Sequence, residues 1–68
     1  MAEVGDLVRY LGPENLTAFK LSRGAVGVIT ERFGESRRMW VARFFERPTE
    51  TRHLHEAHEG AYWEVIPW

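Results

Sequence analysis

Hydrophobic positions in this chain fall into short runs of β-branched and aromatic residues, separated by clusters of Gly, Pro, Asn and Ser. Helical periodicity is almost absent. This pattern is typical of a small all-β domain and not of a helical one. The runs predict five strands, namely within residues 5–11, within 24–33, within 38–45, around 53–55 and within 62–68.

The connections between these runs add two expectations. Gly27 lies in the middle of the second run, where a glycine predicts a bulge or a tight bend. Residues 33–37 read as a hairpin turn. The connection over residues 12–23 is long for so small a chain, and we expect it to fold back onto the body through its apolar residues, Leu16, Phe19 and Leu21.

The stretch from Thr49 to Glu59 is ambiguous, because Thr49 could cap a helix and the following residue, Gly60, could end one. Only Leu54 and Ala57 would give such a helix an apolar face. We therefore predict a short strand around residues 53–55 followed by a tight turn, and a short helix is the alternative.

Length and composition narrow the class of protein. Sixty-eight residues predict a single domain over residues 1–68, with a small core and marginal stability. The sequence has no cysteine, which excludes disulfides and thiolate zinc sites and suits the cytoplasm. The acidic start MAEVGD is unlike a signal peptide, and no apolar run is long enough to span a membrane. A net charge of −1 argues against a domain that coats nucleic acid by bulk charge.

Four segments, GDLVR, GAVGVI, WVARFF and WEVIP, resemble the strand signatures of SH3-like barrels, particularly the small bacterial and KOW-like branch. The resemblance covers most of the chain and implies a five-stranded SH3-like barrel. Domains of this kind serve as nucleic-acid modules, protein docking subunits and, in a few cases, enzymes. KOW domains have a short first connection where this chain has residues 12–23, and the Ala-Leu-Tyr-Asp-Tyr strand of proline-peptide binders is missing.

A more remote resemblance is to the plasmid-type dihydrofolate reductases, which are SH3-like tetramers around a central pore. Those enzymes carry a segment similar to Glu56-Ala57-His58 with Gly60 ahead of a Val-Gln-Ile-Tyr motif. In this sequence AYWEVIP stands at that place. An oligomeric enzyme of that type is the remote alternative; our expectation is a non-catalytic protein without a cofactor.

Three histidines, His53, His55 and His58, lie within the segment HLHEAHEG. On a strand, His53 and His55 would share a face and bring two metal ligands together. Zinc sites usually need three or four ligands, which His58 or Glu56 would have to complete. The segment is therefore either a metal site or a solvated polar connection between two strands.

Arginines surround an indole near the predicted hairpin. Guanidinium groups on phosphate and an aromatic ring under a base are how proteins hold single-stranded nucleic acid. Acidic neighbours allow the simpler interpretation of a solvated hairpin. The residues of the nucleic-acid alternative are Arg32, Arg37, Arg38, Trp40 and Arg43.

Aromatic residues make up 13% of the chain, and the third run is apolar on both of its faces. Either the long connection covers one face, or that face contacts a partner. Our expectation is a docking module that binds a protein partner or a second copy of itself through exposed aromatic rings and an open strand edge. The candidate contact residues are Tyr10, Phe19, Trp40, Tyr62 and Trp68.

Overall fold

The computed structural model describes residues 2–14, 16–17, 19–34 and 38–67. Trp68 and Arg37 lie outside these ranges. Five strands and one 3₁₀ turn make up the described fold, and no described helix is long or apolar enough to cross a membrane. The strands are β1 (Leu7–Tyr10), β2 (Val26–Phe33), β3 (Met39–Phe44), β4 (Thr51–His55) and β5 (Trp63–Val65), and the turn is Glu56–His58.

The strands form one antiparallel sheet in the order β4-β3-β2-β1-β5. The sheet curls into a half-barrel that brings its two ends together. At the junction the indole Nε1 of Trp63 donates to the carbonyl oxygen of His55 at 2.9 Å. An isolated bridge between Glu59 and Trp63 lies beside it. The all-β, five-stranded prediction is confirmed, and the architecture is consistent with an SH3-like barrel.

The core lies on the concave face of the sheet. Trp40 and Trp63 are both buried there, with ring centroids 5.7 Å apart and planes at 66° in an edge-to-face contact. Burial of two indoles supplies a large share of the apolar area of so small a domain. Around them lie the other buried side chains, among which the largest are Tyr10, Phe44, Leu21, Ile29, Leu54 and Val8.

The bulge of β2 is not at Gly27. The register with β3 shifts between Ile29 and Glu31, so the extra residue of the bulge is Thr30. The Thr30 hydroxyl donates a hydrogen bond to the Val41 carbonyl oxygen at 3.2 Å. Gly27 instead permits a close backbone approach, since a Cβ there would lie 2.6 Å from a carbonyl oxygen of β3. A glycine is therefore required at position 27, but the reason is the close approach of the β3 backbone and not a bulge.

The long connection folds back onto the barrel, as predicted. Leu21 is fully buried, and Phe19 packs against the core. Two arginines bind the backbone of the connection: Arg52 Nε donates to the Phe19 carbonyl at 2.6 Å, and Arg47 Nε donates to the Lys20 carbonyl at 2.7 Å. The connection is thus held by the far end of the sheet.

The ambiguous stretch after Pro48 is a strand, β4, followed by the 3₁₀ turn Glu56–His58. The predicted strand is confirmed, and it begins at Thr51, two residues before the predicted start at residue 53. The turn has no buried residue, which agrees with the lack of an apolar helical face in the sequence.

The two core tryptophans differ in the hydrogen bonding of the indole N–H, so their substitution should lower the stability of the fold by different amounts. The Trp40 Nε1 atom is buried with no hydrogen-bond partner among the described residues, whereas Trp63 Nε1 has the His55 carbonyl. Trp40→Phe and Trp63→Phe each leave a cavity, but only Trp63→Phe also loses a hydrogen bond. We expect Trp63→Phe to lower the free energy of unfolding by about 1 kcal/mol more than Trp40→Phe, as measured by urea denaturation. Equal losses would contradict this account.

Candidate functional site

The backbone of β4 faces β3 on one side only, because β4 is the last strand of the sheet. Glu56 N–H donates to the carbonyl oxygen of Arg38 at 2.8 Å, and these two residues are opposite each other in the register of β3 and β4. Bonded and unbonded pairs alternate along an antiparallel ladder. The pairs Trp40–Leu54 and Ala42–Arg52 are therefore bonded.

The intervening β4 residues, Thr51, His53 and His55, direct their backbone N–H and C=O groups away from β3. We call these groups the β4 edge. Within the described chain, the carbonyl of His55 accepts the Trp63 indole and the carbonyl of Thr51 accepts Arg52 Nη1. The N–H groups of all three residues and the carbonyl of His53 have no described hydrogen-bond partner.

At the opposite edge of the sheet, the outward backbone carbonyl of Trp63, the first residue of β5, is already hydrogen-bonded. Gly60 N–H donates to the carbonyl oxygen of Trp63 at 2.7 Å. By the same alternation, this carbonyl points away from β1, since Leu11 N–H donates to the Tyr62 carbonyl. Of the two edges, β4 therefore offers the longer open backbone.

A pair of rings lies on the convex face beside the β4 edge. The rings of Phe33 and His53 have centroids 4.8 Å apart, although they belong to strands on either side of β3. Phe33 is opposite Met39, and His53 is opposite Val41. The pair thus spans β3, which explains why Val41 is only 5% exposed on the outer face. Phe33 itself is 45% exposed.

A second group of rings, the aromatic row, runs from the first strand to the 3₁₀ turn. Tyr10 and Phe19 have centroids 5.2 Å apart, Phe19 and Tyr62 6.4 Å, and Tyr62 and His58 4.9 Å. Three predicted contact residues therefore lie together. However, Tyr10 is buried, and the half-buried rings of Phe19 and Tyr62 pack against the core. The aromatic row primarily attaches the long connection.

The hydroxyl of Tyr10 reinforces this attachment. It donates to the carbonyl oxygen of Pro13 at 2.6 Å. Burial raises the pKa of this hydroxyl above its ordinary value, and the neighbouring Tyr62 adds to the effect. Tyr10 therefore stays neutral and bonded at physiological pH.

Two of the predicted surface anchors are in fact core residues. Tyr10 is 0% exposed and Trp40 is 1% exposed, so the expectation that they present their rings to a partner is wrong. They occupy alternate positions that face the concave side, where large rings fill the barrel. The described aromatic residues with large exposed area are instead Phe33 and Phe45, which sequence reasoning missed. Their position next to a turn and at the end of a strand was the only available signal.

Two arginines of the nucleic-acid alternative, Arg32 and Arg43, lie on opposite faces of the sheet. Arg32 is opposite Trp40, on the concave side, whereas Arg43 is opposite Val28 and Thr51, on the convex side. Trp40 is buried and offers no ring for a base to stack on. Arg38 precedes β3, and its carbonyl accepts the bond from the 3₁₀ turn.

The histidines divide between two surroundings. His53 and His55 share the convex face of β4, as predicted for a strand, but His53 stacks on Phe33. His55 lies near His58, with ring centroids 5.7 Å apart, and His58 also contacts Tyr62. No group of three or more potential metal ligands converges in the part of the chain that the structure describes. The same part encloses no pocket.

No protein-family model, curated protein or solved structure matches this chain. The candidate site therefore depends on geometry alone: an open backbone edge with a stacked ring pair beside it.

Two glutamates in the connection between β3 and β4 bind segments next to this site. Glu46 accepts the Ser22 backbone N–H at 2.9 Å, and that bond lowers the pKa of its carboxyl. Hydrogen bonding to Arg52 likewise lowers the pKa of Glu50. The Glu46 bond thus reaches Ser22 in the long connection, and the Glu50 bond reaches Arg52, the arginine that binds the Phe19 carbonyl of that connection.

These lowered pKa values predict a loss of stability in acid. A carboxyl whose pKa is lower in the folded state stabilises the fold above its ordinary value of 4.5, and this contribution disappears as the pH falls through the folded-state pKa. We expect the urea midpoint to decrease between pH 6 and pH 3, and to decrease less in the Glu46→Gln, Glu50→Gln double variant. Glu3→Gln, at an exposed position, is the control and should keep the wild-type profile. An unchanged profile in the double variant would refute the assignment.

Proposed function

We propose that this chain is a non-catalytic docking module that binds protein by adding an extended strand at the β4 edge. The observation that carries the proposal is the set of backbone groups on Thr51, His53 and His55 that point away from β3, with the N–H groups and one carbonyl unbonded in the described chain. Strand addition obtains its affinity from such main-chain groups, and side chains along the edge give specificity.

The side chains of the β4 edge support this proposal. Natural sheets commonly protect an exposed edge with lysine, proline or inward-pointing charge. The convex-face side chains of β4 are threonine and histidine, and the strand has no lysine or proline. Its inward-pointing charge, Arg52, is bonded to the Phe19 carbonyl and paired with Glu50. Along Thr51, His53 and His55, an incoming strand therefore meets no lysine, arginine or carboxylate.

The ring pair supports it as well. A strand added to β4 would place its convex-face side chains next to His53, whose ring already stacks on Phe33. Exposed aromatic surface beside a strand edge is the type of contact that concentrates binding energy. As part of the same proposal we place the module in the cytoplasm, where a domain without cysteine needs no oxidising environment.

The test uses a substitution that removes one outward donor and spares the ladder. His53→Pro deletes the outward N–H, while the bonds of Leu54 and Arg52 to β3 remain, and proline is tolerated at this position of an edge strand. His53→Val is the matched control, because it removes the ring and keeps the donor. Ligands are selected from a displayed library of random peptides, and their contacts are mapped by amide chemical shifts.

We expect selected peptides, or self-association, to shift the amides of Thr51, His53 and His55. His53→Pro should weaken binding by about tenfold or more, and His53→Val by less, since the main-chain bonds persist. Ligands that map to other residues, or that bind His53→Pro with wild-type affinity, would overturn the proposal. So would steeply salt-dependent binding of oligonucleotides as the only detectable interaction, which is the signature of the nucleic-acid alternative.

A further inference from the structure

The open groups of the β4 edge are arranged symmetrically about one residue. Thr51 and His55 lie two residues to either side of His53, and all three direct backbone groups outward. An antiparallel partner strand whose centre is also His53 would oppose His53 to itself and Thr51 to His55. A second β4, from another molecule of the same sequence, fits this arrangement.

We infer that the partner added at the β4 edge is a second copy of this chain, related by a two-fold axis that passes between the two His53 residues. This inference rests on the proposed function and specifies its ligand. Two-fold dimers use the same surface on both subunits, so a single self-complementary edge is sufficient. The sheet would then run continuously from one molecule into the other.

In this dimer, each outward backbone N–H group of the β4 edge gains a carbonyl partner. At the axis, the N–H and C=O of His53 each find a partner on the other His53, and neither group has a described partner in the monomer. On either side, the unbonded N–H groups of Thr51 and His55 reach carbonyls that accept one side-chain donor each. A carbonyl oxygen has two lone pairs, so each retains capacity for a second bond.

The side chains across the axis are also compatible. The opposed pairs, His53 with His53 and Thr51 with His55, contain no lysine, arginine or carboxylate, and like charges directly opposite each other would oppose pairing. On the convex face each His53 stacks on its own Phe33. The dimer would therefore join the two ring pairs into one row, with the two His53 rings at its centre.

Charge placed at the axis provides a decisive test. His53→Lys opposes two cations in a homodimer, and His53→Glu opposes two carboxylates, so each variant alone should lose self-association. An equimolar mixture pairs lysine with glutamate and should recover it. Glu3→Lys alters the net charge at an exposed position outside the sheet and is the control. Circular dichroism checks that all variants are folded.

The readout is sedimentation equilibrium over a wide concentration range. We expect wild type and Glu3→Lys to show a reversible monomer–dimer equilibrium, each His53 variant to raise the dimer Kd by about tenfold or more, and the mixture to return toward the wild-type Kd. Recovery in the mixture excludes misfolding as the cause of the single-variant losses.

Failure of this inference is distinguishable from failure of the proposed function. A wild-type protein that stays monomeric at millimolar concentration, or a mixture that does not recover, overturns the second-copy assignment. If selected peptides still shift the Thr51, His53 and His55 amides in that case, strand addition stands. If the wild type dimerises and His53→Pro dimerises with the same Kd, the β4 edge is not the dimer contact and the second-copy assignment falls, while the selected peptides still decide strand addition.

Discussion

The hydrogen bond from the Trp63 indole to the His55 carbonyl joins the two ends of the sheet, and the rest of the structure depends on this closure. The strand order alone places β4 and β5 at opposite edges. Because the same indole packs edge-to-face on Trp40, one side chain both fills the core and determines how far the sheet curls. The curl leaves the concave face packed and the beginning of β5 covered, so the longer open backbone is that of β4.

The site exists because side chains and backbone hydrogen-bonding groups both alternate in direction along β4. Side chains alternate between the faces of a strand every two residues, and so do the directions of its backbone bonds. Arg52 and Leu54 therefore bond to β3 and turn their side chains inward, whereas Thr51, His53 and His55 present both side chain and backbone to the outside. The three outward residues thus combine a recognition surface with a main-chain template, and one substitution there changes one or both of them.

The sequence alone predicts where the strands are, but it does not predict which face of each strand lies inside the barrel. Gly27 and the β-branched run around it excluded a helix, and the shared face of His53 and His55 follows from strand geometry. On β3, however, Trp40 and Phe44 alternate with Met39 and Val41, and both sets are apolar. Only the neighbouring strands decide which set is inside. The Phe33–His53 contact and the Thr30 bulge depend on the register across three strands, which a local pattern does not contain.

The long connection is bound to the barrel through its main chain. Arg52 and Arg47 reach the carbonyl oxygens of Phe19 and Lys20, and every amino acid supplies such an oxygen. Apart from the apolar contacts of Phe19 and Leu21, the attachment therefore makes little demand on side-chain identity. The connection is consequently a region where evolution, or an engineer, has freedom to vary surface residues while its position on the scaffold stays fixed.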